Sequence, residues 1–141
     1  MKGTKSLRCF ITTPFSGDFR NIRGIIADAL RDVGIEPILL EETIAVGTSI
    51  LEAVQQAIER ADVIIADLTQ GNPNVMYEVG YAHALGKPVL FIVQREIGHV
   101  PSDIAGYLYL VYEPSRLDEL RRNIQIWATR YVSKSEEEAR K

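Results

Sequence analysis

Cysteine occurs once in this 141-residue chain and histidine twice. A lone cysteine forbids an internal disulfide. Cys9 sits in the apolar run LRCFI, where a thiol is read as buried and inert. His83 and His99 are too few and too badly spaced for a zinc site, so no metal is expected. No apolar run approaches the ~18 residues of a membrane span, and the first one is too short for a signal peptide. Lys/Arg and Asp/Glu are interspersed at a net charge of −3, with no basic stripe and no aromatic–basic alternation. Nucleic acid and membrane are therefore not expected partners. The phosphate-cradling G-x-G-x-x-G and G-x-x-x-x-G-K-[ST] loops and the G-x-S-x-G elbow are all missing, which argues against a dinucleotide dehydrogenase, a P-loop NTPase and a serine hydrolase, and no cofactor is expected. A cytoplasmic protein is the default.

What is present is the makings of one ordinary domain over 1–141, 46% hydrophobic and 25% charged. Strand-like runs alternate with helix-like ones. LRCFITT (7–13), IEPILLEE (35–42), DVIIADLT (62–69), KPVLFIVQ (87–94) and YLYLVY (107–112) are rich in β-formers. Pro37 marks the second run as a sheet edge. Between them, 19–34, 49–61 and 74–86 carry apolar residues at helical spacing. Asp18 is read as the N-cap of the first helix and Gly34 as its C′ residue. Ser49 and Glu52 form an S-x-x-E capping box for the second, and Gly86 closes the third. A last helix spans 115–132, with Leu117, Leu120, Ile124, Trp127 and Tyr131 as a core stripe, and 133–141 is read as a charged, frayed tail. The alternation implies a parallel sheet with right-handed crossovers. The expected class is α/β, a flavodoxin-like or Rossmann-like three-layer sandwich with a five-stranded parallel sheet of order 2-1-3-4-5.

Such sheets bind ligands outside the carboxyl ends of strands 1 and 3, where strand order reverses. Attention falls on TTPFSGD and on DLTQGNPN, which leads into the helix NVMYEVGYAHALG. Asp67 sits near the carboxyl end of strand 3, whereas Asp62 opens it at the opposite sheet edge and is read as structural. Glu78 has no local explanation. If Asn72 caps the helix with Pro73 at its first position, a capping box would want its acid at Val75; if Asn74 caps, at Tyr77. Its helical neighbours Asn74, Val75, Tyr81 and Ala82 include no cation. Glu78 is either a solvated helix former or a carboxylate turned into the cleft beside Tyr77 or Tyr81. In the second case it could attack an anomeric carbon, with Asp67 as its acid/base partner. Asn72 and Asn74 are turn-formers that could also bind a ligand; Asp103 could cap a turn or hold ribose hydroxyls. His83 is read as solvated surface, and Tyr107, Tyr109 and Tyr112 as sheet packing. Arg20, Arg23 and Arg95 could meet a phosphate, and solvation explains each equally well.

The segment ADVIIADLTQGNPNVMYEVGYAHALGKPVLFIV resembles the centre of the nucleoside 2-deoxyribosyltransferase-like proteins and of the related TIR-like nucleotide-binding domains. CFITTPFSGDFRNI resembles their first strand and loop, and VPSDIAGYLYLVY their closing Asp loop. The resemblance implies a nucleophile in the E-x-G-x-A helix, matched by Glu78, and a strand-end Asp assisting the base, matched by Asp67. It implies that Thr13, Pro14, Phe15 and Ser16 hold base or sugar, and that the chain assembles as a homo-oligomer. Two departures stand out: TQGNPNVMYE replaces an Asp-x-Gly-Thr stretch, and the first loop has less glycine. The expected activity is cleavage or transfer at the N-glycosidic bond of a nucleoside, nucleotide or NAD-like molecule. A non-catalytic nucleotide sensor and a regulatory subunit assembling through Trp127 and Tyr131 are the alternatives.

Overall fold

A computed structural model describes residues 6–15, 17–40, 47, 49–95 and 109–139. The described elements run β1 (Arg8–Thr12), α1 (Asp18–Asp32), β2 (Glu36–Ile38), α2 (Ile50–Arg60), β3 (Val63–Asp67), a 3-10 turn (Thr69–Gly71), α3 (Pro73–Ala84), β4 (Val89–Gln94), β5 (Tyr109–Tyr112) and α4 (Leu117–Ala139). The five strands form one sheet of order β2-β1-β3-β4-β5, all pairs parallel. This is the expected fold, with the reversal of order between β1 and β3. Pro37 lies in edge strand β2, where its missing N–H disturbs no central ladder.

Register decides which side chains face which layer, because successive strand residues point to opposite faces. Cys9 and Ile11 of β1, Val63 and Ile65 of β3, and Ile92 of β4 pack with α1 and α4 residues such as Phe19, Ile26, Leu30, Leu120 and Ile124. Phe10 and Ile64 pack instead with Val54, Ala57 and Ile58 of α2 and Ala82 of α3. Ala66 and Phe91 meet Val75 and Val79 of α3. Fully burying each large apolar side chain contributes about 1.5–3 kcal/mol, so the two apolar layers are what hold the sandwich together. Trp127 and Tyr131 pack partly buried against the α1/α4 layer, as the stripe predicts. Burial pushes the Cys9 thiol well above its ordinary pKa, in keeping with an inert core thiol.

Local chemistry sets the element ends. Ser49 Oγ accepts from Glu52 N at 3.0 Å. Gly34 stands at φ +83° beyond α1. There Ile35 N–H reaches Leu30 O (2.9 Å) and Gly34 N–H reaches Arg31 O (3.1 Å), the pair of bonds that a left-handed C′ residue permits. Two boundaries differ from expectation. Asp18 is the first residue of α1 and does not cap it; Gly17 occupies the cap with no side-chain bond. There Asp18 still complements the helix dipole. And 133–139, expected to fray, continue α4 to Ala139: this run of Ser, Lys, Glu and Ala has no helix breaker, and propagating an existing helix is easy.

Candidate functional site

Two positions at the sheet's carboxyl edge bury carboxyl groups, and register sends them to opposite faces. Asp67 follows Val63 and Ile65 toward α1 and α4. It is fully buried, at 0% exposure. Its Oδ1 accepts from Thr69 N at 2.9 Å and from Thr69 Oγ1 at 2.5 Å. Its Oδ2 accepts from the Tyr112 hydroxyl at 2.5 Å. Thr69 Oγ1 in turn accepts from Gln94 N at 3.0 Å. Burial pushes the Asp67 carboxyl above its usual range, and its bonds to Thr69 and Tyr112 pull the other way. Burial and the adjacent Asp67 charge push the Tyr112 hydroxyl up strongly. Each donor satisfies the carboxylate and ties β3 and its turn to β4 and β5.

Glu78 belongs to α3, on the other face. It is 7% exposed. Burial raises its pKa above the ordinary glutamate value, and a hydrogen bond with the Thr12 side chain opposes that rise. Thr12 lies on this face because Phe10, two residues earlier, does. The neighbouring Thr13, just past β1, is held from α1: Arg23 Nη1 donates to Thr13 Oγ1 at 2.7 Å and to Pro14 O at 3.3 Å. Asn72 caps α3 as expected. Its Oδ1 accepts from Asn74 N at 3.0 Å and Val75 N at 3.2 Å, with Pro73 at the first helical position.

Glu78 opens onto two hollows. One, of about 20 Å³, lies among Thr12, Thr13, Phe15, Arg23 and Leu40, room for a water and no more. The other, of about 330 Å³, is lined by Phe15, Ile50, Leu51, Val54, Asn74 and Tyr77 as well as Glu78. That is the low end of small-molecule pocket sizes. Phe15 (63% exposed) and Tyr77 (49%) stand on its rim with Ile50 and Leu51. Tyr77 OH accepts from Gln55 Nε2 at 3.3 Å, which ties α3 to α2.

Of the residues singled out in the sequence, Thr13, Phe15, Asn74, Tyr77 and Glu78 thus gather around these hollows. Pro14 is buried beside them and bonded to Arg23. Asn72 is engaged as a cap. Ser16, Asp103, Tyr107 and His99 lie outside the described residues. Asp67 lines neither hollow at Glu78. Asp62 accepts from Arg8 N at 2.8 Å, a structural tie at the far sheet edge. His83 is exposed, its ring edge-on to Phe91. Arg95 pairs with Glu113 at 3.1 Å, away from Glu78. Thr12 was not foreseen, and neither was the role of Tyr112 beyond packing. The available signal was the alternation of β1, which puts Thr12 on the same face as Phe10. Among the described residues there is no His/Cys/Asp/Glu cluster that could hold a metal, and no helix long and apolar enough to cross a membrane.

A parallel sheet of order 2-1-3-4-5, with a buried carboxylate beside a hollow where that order reverses, defines an α/β domain whose hollow lies where such sheets bind ligands. The chain belongs to the nucleoside 2-deoxyribosyltransferase family, whose model matches residues 20–118. It is 36% identical over 78 residues to the 5-hydroxymethyl-dUMP N-hydrolase of Rattus norvegicus, which is 55% of this chain and 47% of that protein. The Mus musculus protein of the same description is 44% identical over 45 residues, 32% of this chain and 26% of that one. The matches thus span about half the rat protein's length and a quarter of the mouse protein's. Among solved structures, the CMP N-glycosidase of Clostridium botulinum superposes with a TM-score of 0.66 at 19% identity, covering 85% of this chain and 98% of that one. A TIR domain of a Toll-related receptor from Hydra magnipapillata superposes at 0.62 and 17% identity, covering 86% and 99%. At such identities these likenesses concern the fold.

Proposed function

We propose that this chain cleaves or transfers the N-glycosidic bond of a nucleoside or nucleotide, with Glu78 as the nucleophile. The observation that carries this reading is the placement of Glu78. A carboxylate sits 7% exposed, hydrogen-bonded to the Thr12 side chain, at the wall of a hollow large enough for a base. Nothing in the helix accounts for it, and burying an acid is costly unless it serves a purpose. Family membership, and relatives described as N-hydrolases, supply the bond type.

In the first step a Glu78 oxygen bonds to C1′ and the C1′–N bond breaks. The base leaves with that electron pair and takes a proton from water at the open rim. In the second step water, or a nitrogen of another base, bonds to C1′ and gives up a proton as the ester to Glu78 breaks. Partial desolvation makes the carboxylate a better nucleophile, while the Thr12 hydroxyl keeps it ionised and oriented. Asp67 acts at one remove: bonded inward to Thr69 and Tyr112, it fixes the turn that starts α3 and so the position of Glu78.

The test is chromatography of deoxynucleosides with a second free base, ribonucleotides, deoxynucleotides and NAD, each incubated with the wild-type protein and with Glu78→Gln. A free or exchanged base appearing with wild type only is the expected result. An unchanged panel at high protein concentration refutes the reading for these substrates.

A further inference from the structure

Asn74 and Glu78 line the same hollow, one helical turn apart on α3. Residues at i and i+4 share a helix face, with Cβ atoms about 5–6 Å apart. Helical side chains lean toward the helix N-terminus, so the longer glutamate reaches back toward the turn that Asn74 occupies. The Asn74 backbone N–H is taken up by Asn72 Oδ1 at 3.0 Å. What Asn74 presents to the hollow is therefore its side-chain amide, with a carbonyl acceptor and an NH2 donor. The Thr12 side chain hydrogen-bonds the Glu78 carboxylate from the sheet. Thr12 lines the smaller hollow, Asn74 the larger, and Glu78 both.

The chemistry fixes which part of a glycoside lies beside Glu78. Displacement at C1′ puts the attacking oxygen and the departing nitrogen on opposite faces of the sugar ring. In a β-nucleoside the base stands on one face, so Glu78 approaches from the other, the α face. The base is then held away from Glu78, against the apolar wall of Phe15, Ile50, Leu51 and Tyr77. On the α face, one carbon from C1′, a ribonucleoside carries its 2′-hydroxyl, with the 3′-hydroxyl next to it. A 2′-deoxynucleoside keeps only the second. The polar side chain that shares both the hollow and a face of α3 with the carboxylate is Asn74.

We infer that Asn74 reads the sugar: its amide bonds the 2′-hydroxyl on the α face, and the hollow binds ribosides more tightly than 2′-deoxyribosides. The position of C1′ comes from the proposed glycosidic chemistry, so this role rests on that reading and adds the choice of sugar to it. A hydrogen bond to the 2-hydroxyl beside a breaking glycosidic bond strengthens in the transition state, so Asn74 contributes to turnover as well as to binding. The preference runs against the deoxyribosyl of the family's description and the deoxynucleotide in the names of the rodent relatives.

The experiment takes the ribo and 2′-deoxy forms of adenosine, guanosine, cytidine and uridine, each with and without a 5′-phosphate. Wild type and Asn74→Ala give kcat/KM. Glu78→Gln, alone and combined with Asn74→Ala, gives Kd by calorimetry without turnover. Deoxyribosides break their glycosidic bonds more readily even without an enzyme, a difference that cancels when the ribo-to-deoxy ratio is compared with and without Asn74. With Asn74 present, the riboside should bind about tenfold more tightly, the worth of one net hydrogen bond. Asn74→Ala should remove that factor from Kd and at least as much from the kcat/KM ratio, with the deoxy forms nearly unchanged. The arabinoside of the same base, whose 2′-hydroxyl lies on the base's face, should be as indifferent to Asn74→Ala as the deoxy form. Asn74 is exposed and its backbone bond to Asn72 survives the substitution, so the fold should persist. Cleavage with equal losses on both sugars, or with none, overturns the role of Asn74 and leaves the glycosidic chemistry standing. An Asn74-dependent preference for ribosides in Kd, without any cleavage, sinks the chemistry and upholds the sugar contact. Binding of none of these ligands overturns both.

Discussion

Thr12→Val is the substitution that isolates how Glu78 is tuned. Valine matches threonine in shape and suits a strand, so β1 and its pairing with Ala66 should persist. Only the hydroxyl is lost. That hydroxyl opposes the upward push of burial on Glu78. A hydrogen bond to a charged group contributes about 1.5–3 kcal/mol, and each 1.36 kcal/mol is a factor of ten in protonation equilibrium. The nucleophile must be ionised. Losing a donor to the ionised form favours the protonated form, so the acid limb of the rate profile moves to higher pH. On that limb the rate should fall roughly ten- to hundredfold, and above it most of the loss should be recovered. Thr12→Ser keeps the donor and should restore the wild-type profile. The assay is initial rate of base release from pH 4 to 9 on the best substrate of the panel. A packing defect would lower the rate equally at all pH values. A Thr12→Val profile that superposes on wild type, or is depressed uniformly, refutes the assignment of Thr12 as the group that tunes Glu78.

Further expectations follow from the same buried groups. Glu78→Gln should abolish turnover by several orders of magnitude and also raise stability near neutral pH. The sign comes from linkage: a carboxyl whose folded pKa is raised binds more protons folded than unfolded between its two pKa values. Wild-type stability therefore declines as pH rises through that window, whereas the glutamine variant escapes the decline; melting curves at pH 4 and pH 7.5 should diverge only at the higher pH. Tyr112→Phe leaves one oxygen of the buried Asp67 without its hydroxyl donor and should cost about 1–3 kcal/mol, read by urea unfolding; an unchanged midpoint would show that water replaces the hydroxyl. Gln70 stands at φ 68°, in the left-handed region, within the turn between β3 and α3. Gln70→Gly should be neutral or mildly stabilising, and Gln70→Val should destabilise by about 1–2 kcal/mol; equal melting temperatures for the two would refute the strain argument.

The sheet order was legible because each apolar run is short, rich in β-formers and separated from the next by a helix with readable ends. Pro37 placed β2 at the edge before any pairing was known, since a residue without an N–H is excluded from a central ladder. Elimination left Glu78 with two readings, a solvated helix former or a carboxylate in the cleft, and its burial at 7% exposure excludes the first. Asp18 misled because a good capping residue is also a good first-turn residue, and the two differ by one position of backbone geometry. The charged end of α4 misled because charge was read as disorder in a stretch with nothing to stop a helix.

The pairing of Asp67 with Glu78 shows where sequence reasoning runs out. Both belong at the carboxyl edge of the sheet, and by position alone they look like partners. Which face each one takes depends on register, and a shift of one residue would exchange the faces. Cys9 opposite Val63, and Thr12 opposite Ala66, settle it. The odd positions of β1 and β3 face α1 and α4, so Asp67 meets Tyr112, 45 residues away in sequence; the even positions face α2 and α3, so Thr12 meets Glu78. The consecutive threonines make the division of labour concrete. Thr12 hydrogen-bonds the carboxylate, while Thr13, one residue past the strand, is gripped by Arg23 of α1. A substitution at Arg23 should act through the loop that follows Thr12, by loosening Thr13 and Pro14, and should alter turnover without touching substrate.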